Sequence, residues 1–112
     1  FTTVQKRGAA IIEARGKSSA ASAASACIDQ IKNMLRKTPV DHWFSMAVTS
    51  DGNSYDVPPG LIFSFPVRSL GEGKGYEIVK GVQLSDFIRK KIALTSKELM
   101  DEREVVKAML TK

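Results

Sequence analysis

The chain has 112 residues, of which 43% are hydrophobic and 26% are charged, a size and composition typical of one globular domain. These values exclude a repeat array and wholesale disorder. The longest strongly apolar run, Leu61 to Phe65, is too short to cross a bilayer, which needs about 20 apolar residues, so no membrane span is predicted. One cysteine and one histidine cannot supply a disulfide within the chain or a zinc site, and they favour a reducing, cytoplasmic compartment.

The net charge of +5 does not by itself predict a nucleic-acid partner, because the 17 lysines and arginines are spread through the chain. The densest group, Arg89-Lys90-Lys91, fans around a helix instead of forming one stripe, which favours a solvated surface and no nucleic-acid site. The chain begins at Phe1, with no methionine and no signal-like segment, and this indicates part of a longer polypeptide.

Two helices are predicted at the amino end. The apolar period from Thr3 to Arg15 predicts the first, and Gly16 ends it. The second begins with SSAASAASAC, which contains no glycine and so does not resemble a flexible linker. Ser18 or Ser19 can cap it, and Pro39 follows its end. One helix face carries small and apolar residues, namely Ala20, Ala24, Cys27, Ile31 and Leu35.

This thin face has two interpretations. Because alanine and serine side chains are short, a ligand or a neighbouring backbone could approach the helix closely. Alternatively, the helix is buried against its own domain. The residues alone leave both interpretations open.

An antiparallel meander of about three strands is predicted next, with strands at Trp43–Ser50, Leu61–Val67 and Tyr76–Lys80. Asp51-Gly52-Asn53 forms a turn after the first strand, and Tyr55–Val57 is a candidate for renewed pairing. Proline has no backbone N–H, so Pro66 is expected at a sheet edge or a bulge.

A long final helix is predicted to begin at Ser85 and Asp86, through a capping hydroxyl and a favourable first-turn carboxylate. Its expected buried side consists of Phe87, Ile88, Ile92, Leu99, Val106 and Leu110. The predicted fold is therefore α+β: two amino-terminal helices, a small antiparallel β-meander and a long carboxy-terminal helix.

The residues do not compose a complete active site. Gly71–Gly75 lies between two strands, which favours a hairpin loop over a dinucleotide loop. His42 lies beside Asp41 without a nucleophile motif, which favours a surface histidine. In ARGKSS, residues 14–19, the glycine bend and two hydroxyls could bind a small carboxylate, or could serve for helix capping alone.

Three segments, RGAAII, SSAASAA and SDGNSYDVPPGLIFSFPV, closely resemble the carboxy-terminal, substrate-binding domain of NAD-dependent malate dehydrogenases of the cytosolic type. The resemblance covers nearly the whole chain. It implies that residues 1–112 form a single substrate-binding and dimerisation domain. It also implies that the amino-terminal Rossmann half, which binds NAD and carries the catalytic His/Asp pair and the substrate arginines, is not part of this chain.

The resemblance places Ser18 in the substrate pocket for malate or oxaloacetate, with Ser19 and Ser22 as neighbours. Lys17 stands where the family commonly has a smaller or apolar residue, and His42 does not match the catalytic histidine. A homodimer is also implied, together with contact to the amino-terminal half of the same enzyme. No catalytic, cofactor-binding or metal-binding residue is assigned. The alternatives are a stand-alone non-catalytic binding module and a dimerisation module of the same fold.

Overall fold

The computed structural model describes residues 1–18 and 20–110. The elements in chain order are α1 (Thr2–Gln5), α2 (Arg7–Arg15), α3 (Ala20–Leu35), β1 (Phe44–Thr49), β2 (Ile62–Ser69), β3 (Tyr76–Ile78) and α4 (Asp86–Leu110). The predicted α+β class is confirmed: helices lead into a small antiparallel sheet, and a long helix follows it.

The first predicted helix differs from the structure because it is divided at Lys6. That residue has φ −95° and ψ 3°, which lies in the sparsely allowed bridge region instead of the helical one. Gly8 follows closely and weakens helix propensity at the break. The predicted end is confirmed, since Gly16 adopts φ 72° and donates its N–H to the carbonyl of Ile12 at 2.8 Å.

The sheet has the order β1-β2-β3, and both pairings are antiparallel. Met46 lies opposite Phe65, and Val67 lies opposite Ile78, so these apolar side chains share one face of the sheet. The opposite face carries smaller and more polar side chains, such as Ser64. The sheet therefore has one face toward the core and one toward solvent.

The predicted turn at Asp51–Asn53 is confirmed, and Asn53 organises the loop that follows. Its side-chain oxygen accepts the N–H of Tyr55 at 2.9 Å, and its amide nitrogen donates to the carbonyl of Val57 at 2.8 Å. These contacts hold the Tyr55–Val57 segment in a loop, so renewed strand pairing there is not observed.

The expectation that Pro66 lies at a sheet edge or bulge is wrong, because β2 is the central strand. Pro66 pairs with Ser45 in β1, and its carbonyl accepts the N–H of Val79 at 2.8 Å on the other side. β3 ends at Ile78, directly before that point. A central strand thus tolerates proline at this position, because β3 has already ended and no carbonyl of β3 needs an N–H from residue 66.

The core lies between the sheet and α4. Its buried hydrophobic residues are Val48, Val57, Leu61, Phe65, Val67 and Val79. Ile92, Leu99 and Met100 of α4 pack against this cluster. The prediction that Ile92 and Leu99 lie on the buried side of α4 is therefore confirmed.

The same expectation is wrong for the two ends of α4, since Phe87, Ile88, Val106 and Leu110 are exposed. The physical reason is length. A helix of 25 residues extends over about 38 Å. The longest strand has eight residues and covers only about 26 Å. Both ends of α4 consequently extend beyond the surface that could bury them.

α3 is attached to the sheet through its last turns. The Gln30 side chain donates to the carbonyl of Ser45 at 2.9 Å, and the Ser69 hydroxyl donates to the carbonyl of Met34 at 2.7 Å. None of the residues of α3 is buried. The interpretation of this helix as buried against its own domain is therefore wrong.

Candidate functional site

The turn between α2 and α3 contains the predicted substrate residues. Ser18 follows the left-handed bend at Gly16 and is exposed. Ser22 is exposed on the first turn of α3, whereas Ser19 lies outside the described residues. The bend ends α2, and the exposed position of Ser18 leaves its hydroxyl accessible to a ligand. The substrate role of these serines remains a prediction.

α3 presents an uncovered face. Ala24 and Cys27 are exposed, and Ile28 and Ile31 are each 55% exposed. Clustered apolar side chains on a helix normally mark a surface that another polypeptide covers. The geometry therefore leaves room for a partner to approach this face closely.

The backbone of His42 is part of the turn that leads into β1. Its N–H donates to the carbonyl of Pro39 at 3.0 Å, and its own carbonyl accepts the Nε of Arg68 at 3.0 Å. The side chains of His42 and Asp41 are both exposed. The turn orders the backbone here, and the exposed His42 side chain borders an open cavity without forming a hydrogen bond to Asp41 that would orient it as a base.

The predicted hairpin loop at Gly71–Gly75 is confirmed. Leu70 donates its N–H to Gly75 at 2.9 Å, and Lys74 donates its N–H to Gly71 at 2.9 Å. Gly71 is buried against the end of α3, where an added Cβ would lie 3.0 Å from the backbone nitrogen of Lys37. The loop joins two strands and does not lead into a helix, so it lacks the strand-to-helix setting of a dinucleotide-binding loop.

The exposed surface of α4 carries an ion pair between Lys97 and Asp101, in which the lysine Nζ lies 2.6 Å from a carboxylate oxygen. The Asp101 carboxylate accepts a hydrogen bond from Lys97 and raises the pKa of that ammonium above its ordinary value. Within the described ranges no three histidine, cysteine or acidic side chains cluster as metal ligands. In the same ranges no helix has the length and apolar character needed to span a membrane.

Sequence reasoning missed a cavity beside the end of α3. Arg36, Lys37 and Trp43 line this cavity of about 330 Å³. The signal was present in RKTPVDHWF, where two adjacent cations precede a proline turn and a tryptophan. Periodicity assigned these residues to a helix end and a strand start, and it did not reveal that folding brings them to one cavity.

The chain is similar to known proteins over almost its whole length. The family model for the lactate/malate dehydrogenase alpha/beta C-terminal domain matches residues 1–110. A malate dehydrogenase of Protochlamydia amoebophila (strain UWE25) is 54% identical over 108 residues, covering 96% of this chain and 32% of the relative. The chain thus spans about a third of the length of the curated relatives it matches.

Two solved structures share the architecture. The crystal structure of malate dehydrogenase from Naegleria fowleri ATCC 30863 has a TM-score of 0.81 and 42% identity, covering 95% of this chain and 32% of that one. Trichomonas vaginalis lactate dehydrogenase in complex with NADH and oxamate has a TM-score of 0.84 and 35% identity, covering 99% of this chain and 34% of that one. The chain belongs to the lactate/malate dehydrogenase family, in which it corresponds to the alpha/beta C-terminal domain.

Proposed function

We propose that this chain is the carboxy-terminal part of an NAD-dependent malate dehydrogenase, which interconverts malate and oxaloacetate by hydride transfer. The observation that carries the proposal is the 54% identity to a malate dehydrogenase, against 35% to a lactate dehydrogenase of the same fold. The difference favours malate over lactate as the substrate of the whole polypeptide.

NAD binding is assigned to the amino-terminal half of the same enzyme. The glycine-rich segment available in the described residues packs against α3 through Gly71 and connects two strands, so it does not fit a dinucleotide. Hydride and proton transfer are likewise assigned to the amino-terminal half. Its contribution is to shape the substrate pocket and to bind other polypeptide.

Within that pocket, Ser18 is proposed to donate its hydroxyl to a carboxylate of malate or oxaloacetate, with Ser19 and Ser22 nearby. The exposed position of Ser18 directly after the bend at Gly16 supports this role. A hydroxyl can donate one hydrogen bond to a charged acceptor, and such bonds contribute more than neutral ones.

A homodimer is proposed in which a partner subunit covers α3. The exposure of Ile28, Ile31 and Leu35 along with the small residues supports this assembly. A cytoplasmic location is proposed as well, and the exposed, unpaired thiol of Cys27 is compatible with a reducing compartment.

The decisive experiment compares the chain alone with the longer polypeptide that carries it. Each is incubated with NAD and malate, and NADH is followed by its absorbance. We expect NADH from the longer polypeptide and none from the chain alone, with lactate as the control substrate. Turnover of lactate in preference to malate would contradict the substrate, and activity of the verified chain alone would contradict the division of roles.

A substitution of Ser18 tests the pocket. Replacing Ser18 with Ala in the longer polypeptide should lower kcat/KM for oxaloacetate by about tenfold or more, because a hydrogen bond to a charged group is lost. Ser54→Ala, in an exposed loop, is the matched control. Unchanged kcat/KM in Ser18→Ala would remove Ser18 from the pocket.

A further inference from the structure

A second candidate site lies between the end of α3 and the start of β1. The cavity there has a volume of about 330 Å³, which is within the range of about 300–1,000 Å³ typical of small-molecule sites. Its polar lining residues are Asn33, Arg36, Lys37, Thr38 and His42, and its aromatic lining residues are Trp43 and Phe44. The cavity is separate from the turn that holds Ser18.

The charged side chains that line this cavity are positive. Among the described residues that line it, none carries a carboxylate, whereas Arg36 and Lys37 are both cationic. Within residues 1–18 and 20–110, neither of these cations forms an ion pair. An anion entering the cavity would therefore meet available charge without displacing a carboxylate. A guanidinium beside an ammonium suits a phosphate, since the guanidinium can donate two parallel hydrogen bonds.

Trp43 supplies an aromatic surface. Its side chain is 52% exposed although it borders a cavity, and it lies one residue before the sheet begins. Exposed tryptophan next to cations is a common arrangement for binding a planar ring that carries a negative group, because the ring stacks while the charge is neutralised. A plain anion would make no use of this surface.

The walls of the cavity are held in place before any ligand arrives. Thr38 donates its N–H to the Ser69 carbonyl at 3.0 Å and accepts the Ser69 N–H on its hydroxyl at 2.8 Å. Arg68 donates to the carbonyl of His42 at 3.0 Å. Because the helix end and the loop are both fixed to β2, little ordering would accompany binding.

The Ser69 hydroxyl also removes an electrostatic objection. The carboxyl end of a helix is negative and repels anions, but the Met34 carbonyl there already accepts the Ser69 hydroxyl at 2.7 Å. Arg36 and Lys37, which follow the end of α3, offset the remaining helix dipole.

We propose that this cavity binds a nucleoside monophosphate, with the base stacked on Trp43 and the phosphate held by Arg36 and Lys37. The size of the cavity suits one nucleotide. The 17 lysines and arginines are spread through the sequence, which does not favour a longer nucleic acid as the ligand. The site is independent of the activity proposed above.

The test uses the fluorescence of Trp43, which is the only tryptophan of the chain. The 112-residue chain, with its folding checked by circular dichroism, is titrated with AMP, adenosine and inorganic phosphate. We expect saturable quenching by AMP, and weaker binding of both adenosine and phosphate. No saturable quenching by AMP, or equal affinity for AMP and phosphate, would overturn the proposal.

Charge variants locate the site. Arg36→Gln combined with Lys37→Gln should weaken AMP binding by about tenfold or more, because charge-assisted hydrogen bonds are lost. Lys6→Gln combined with Arg7→Gln makes the same charge change elsewhere and should leave affinity within about twofold. Equal weakening by both pairs would indicate diffuse attraction and overturn the assignment.

The longer polypeptide separates this proposal from the dehydrogenase proposal. With saturating NADH present to occupy the cofactor site, equilibrium dialysis of labelled AMP should still detect a second site that Arg36→Gln with Lys37→Gln weakens. Loss of all AMP binding in the presence of NADH would refute the cavity site, whatever the result of the malate assay.

Discussion

At the residue scale, Asp56 is held in a backbone conformation that favours glycine. Its φ is 60°, and it is one of two non-glycine residues with positive φ in the described part of the chain. Asp56→Gly should increase the free energy of unfolding by about 0.5–1 kcal/mol, since the left-handed penalty exceeds the added freedom of the unfolded chain. Urea unfolding measures the change.

Ser54→Gly is the matched control, because Ser54 lies in the same loop without a positive φ. That change should lower stability slightly, since it adds freedom to the unfolded chain and relieves no strain. A lower stability in Asp56→Gly than in the unmodified chain would show that the aspartate is better suited to the loop than its backbone angle suggests.

Gly71 and Gly73 permit a second comparison within one hairpin. Both have φ near 70°, but an added Cβ meets the Cβ and nitrogen of Lys37 at 3.0 Å only at Gly71. Gly71→Ala should therefore cost about 1–3 kcal/mol more than Gly73→Ala, because the clash adds to a shared conformational penalty. Thermal unfolding of both variants gives the difference, and equal losses would contradict the close approach of α3.

At the scale of elements, one buried hydroxyl joins α3 to the sheet. The Ser69 side chain donates to the carbonyl of Met34 at 2.7 Å and accepts the N–H of Gly71 at 3.2 Å. Ser69→Ala should destabilise the chain by about 1–3 kcal/mol, because buried partners lose their hydrogen bonds. Ser64→Ala, at an exposed position of the same strand, should change stability by less than about 0.5 kcal/mol.

Chemical denaturation of the two serine variants provides the measurement. A loss in Ser64→Ala equal to that in Ser69→Ala would mean that strand propensity, and not the link to α3, determines the effect. Circular dichroism should also show reduced helix content in Ser69→Ala if α3 depends on this link for its order.

Element boundaries set by local chemistry could be predicted from the sequence. Gly16 ends α2 through its left-handed backbone, and the Ser85 hydroxyl accepts the N–H of Ile88 at the start of α4, at 3.3 Å. The position of Pro66 could not be predicted, because it depends on where β3 ends, which is a property of a distant segment. The partial exposure of α4 likewise follows from the size of the sheet beneath it.

At the scale of the whole molecule, the apolar pattern of α3 was predictable but its exposure was not. A periodic pattern identifies which face is apolar, and it does not indicate whether the same domain covers that face. For Ser18, the sequence left carboxylate binding and helix capping as alternatives, and the cavity at Arg36 and Trp43 required the three-dimensional approach of a helix end and a strand. Family resemblance supplied the proposed substrate, which residue patterns alone did not.

Ala24→Leu distinguishes an uncovered helix from an interface. Because Ala24 is exposed, the change should leave the stability of the 112-residue chain within about 0.5 kcal/mol. In the dimer proposed for the longer polypeptide, the larger side chain should overpack the interface at a cost of about 1–3 kcal/mol and weaken association. Light scattering over a concentration series measures the association of the longer polypeptide, and Ala93→Leu on α4 is the control. Unchanged association would argue against a partner on α3.

The attachment of the last turns of α3 to the sheet also determines how the helix backbone fluctuates. The Gln30 side chain donates a hydrogen bond to the sheet, and the Met34 carbonyl accepts one from it. Both residues lie in the second half of the helix, whereas no side chain in its first turns is buried. Amide hydrogen exchange should therefore be fastest at the exposed amino end of the helix and become slower toward the sheet. If a partner subunit covers α3 as proposed, the same contact would order the amino end of the helix and, with it, the surroundings of the proposed substrate residue Ser18.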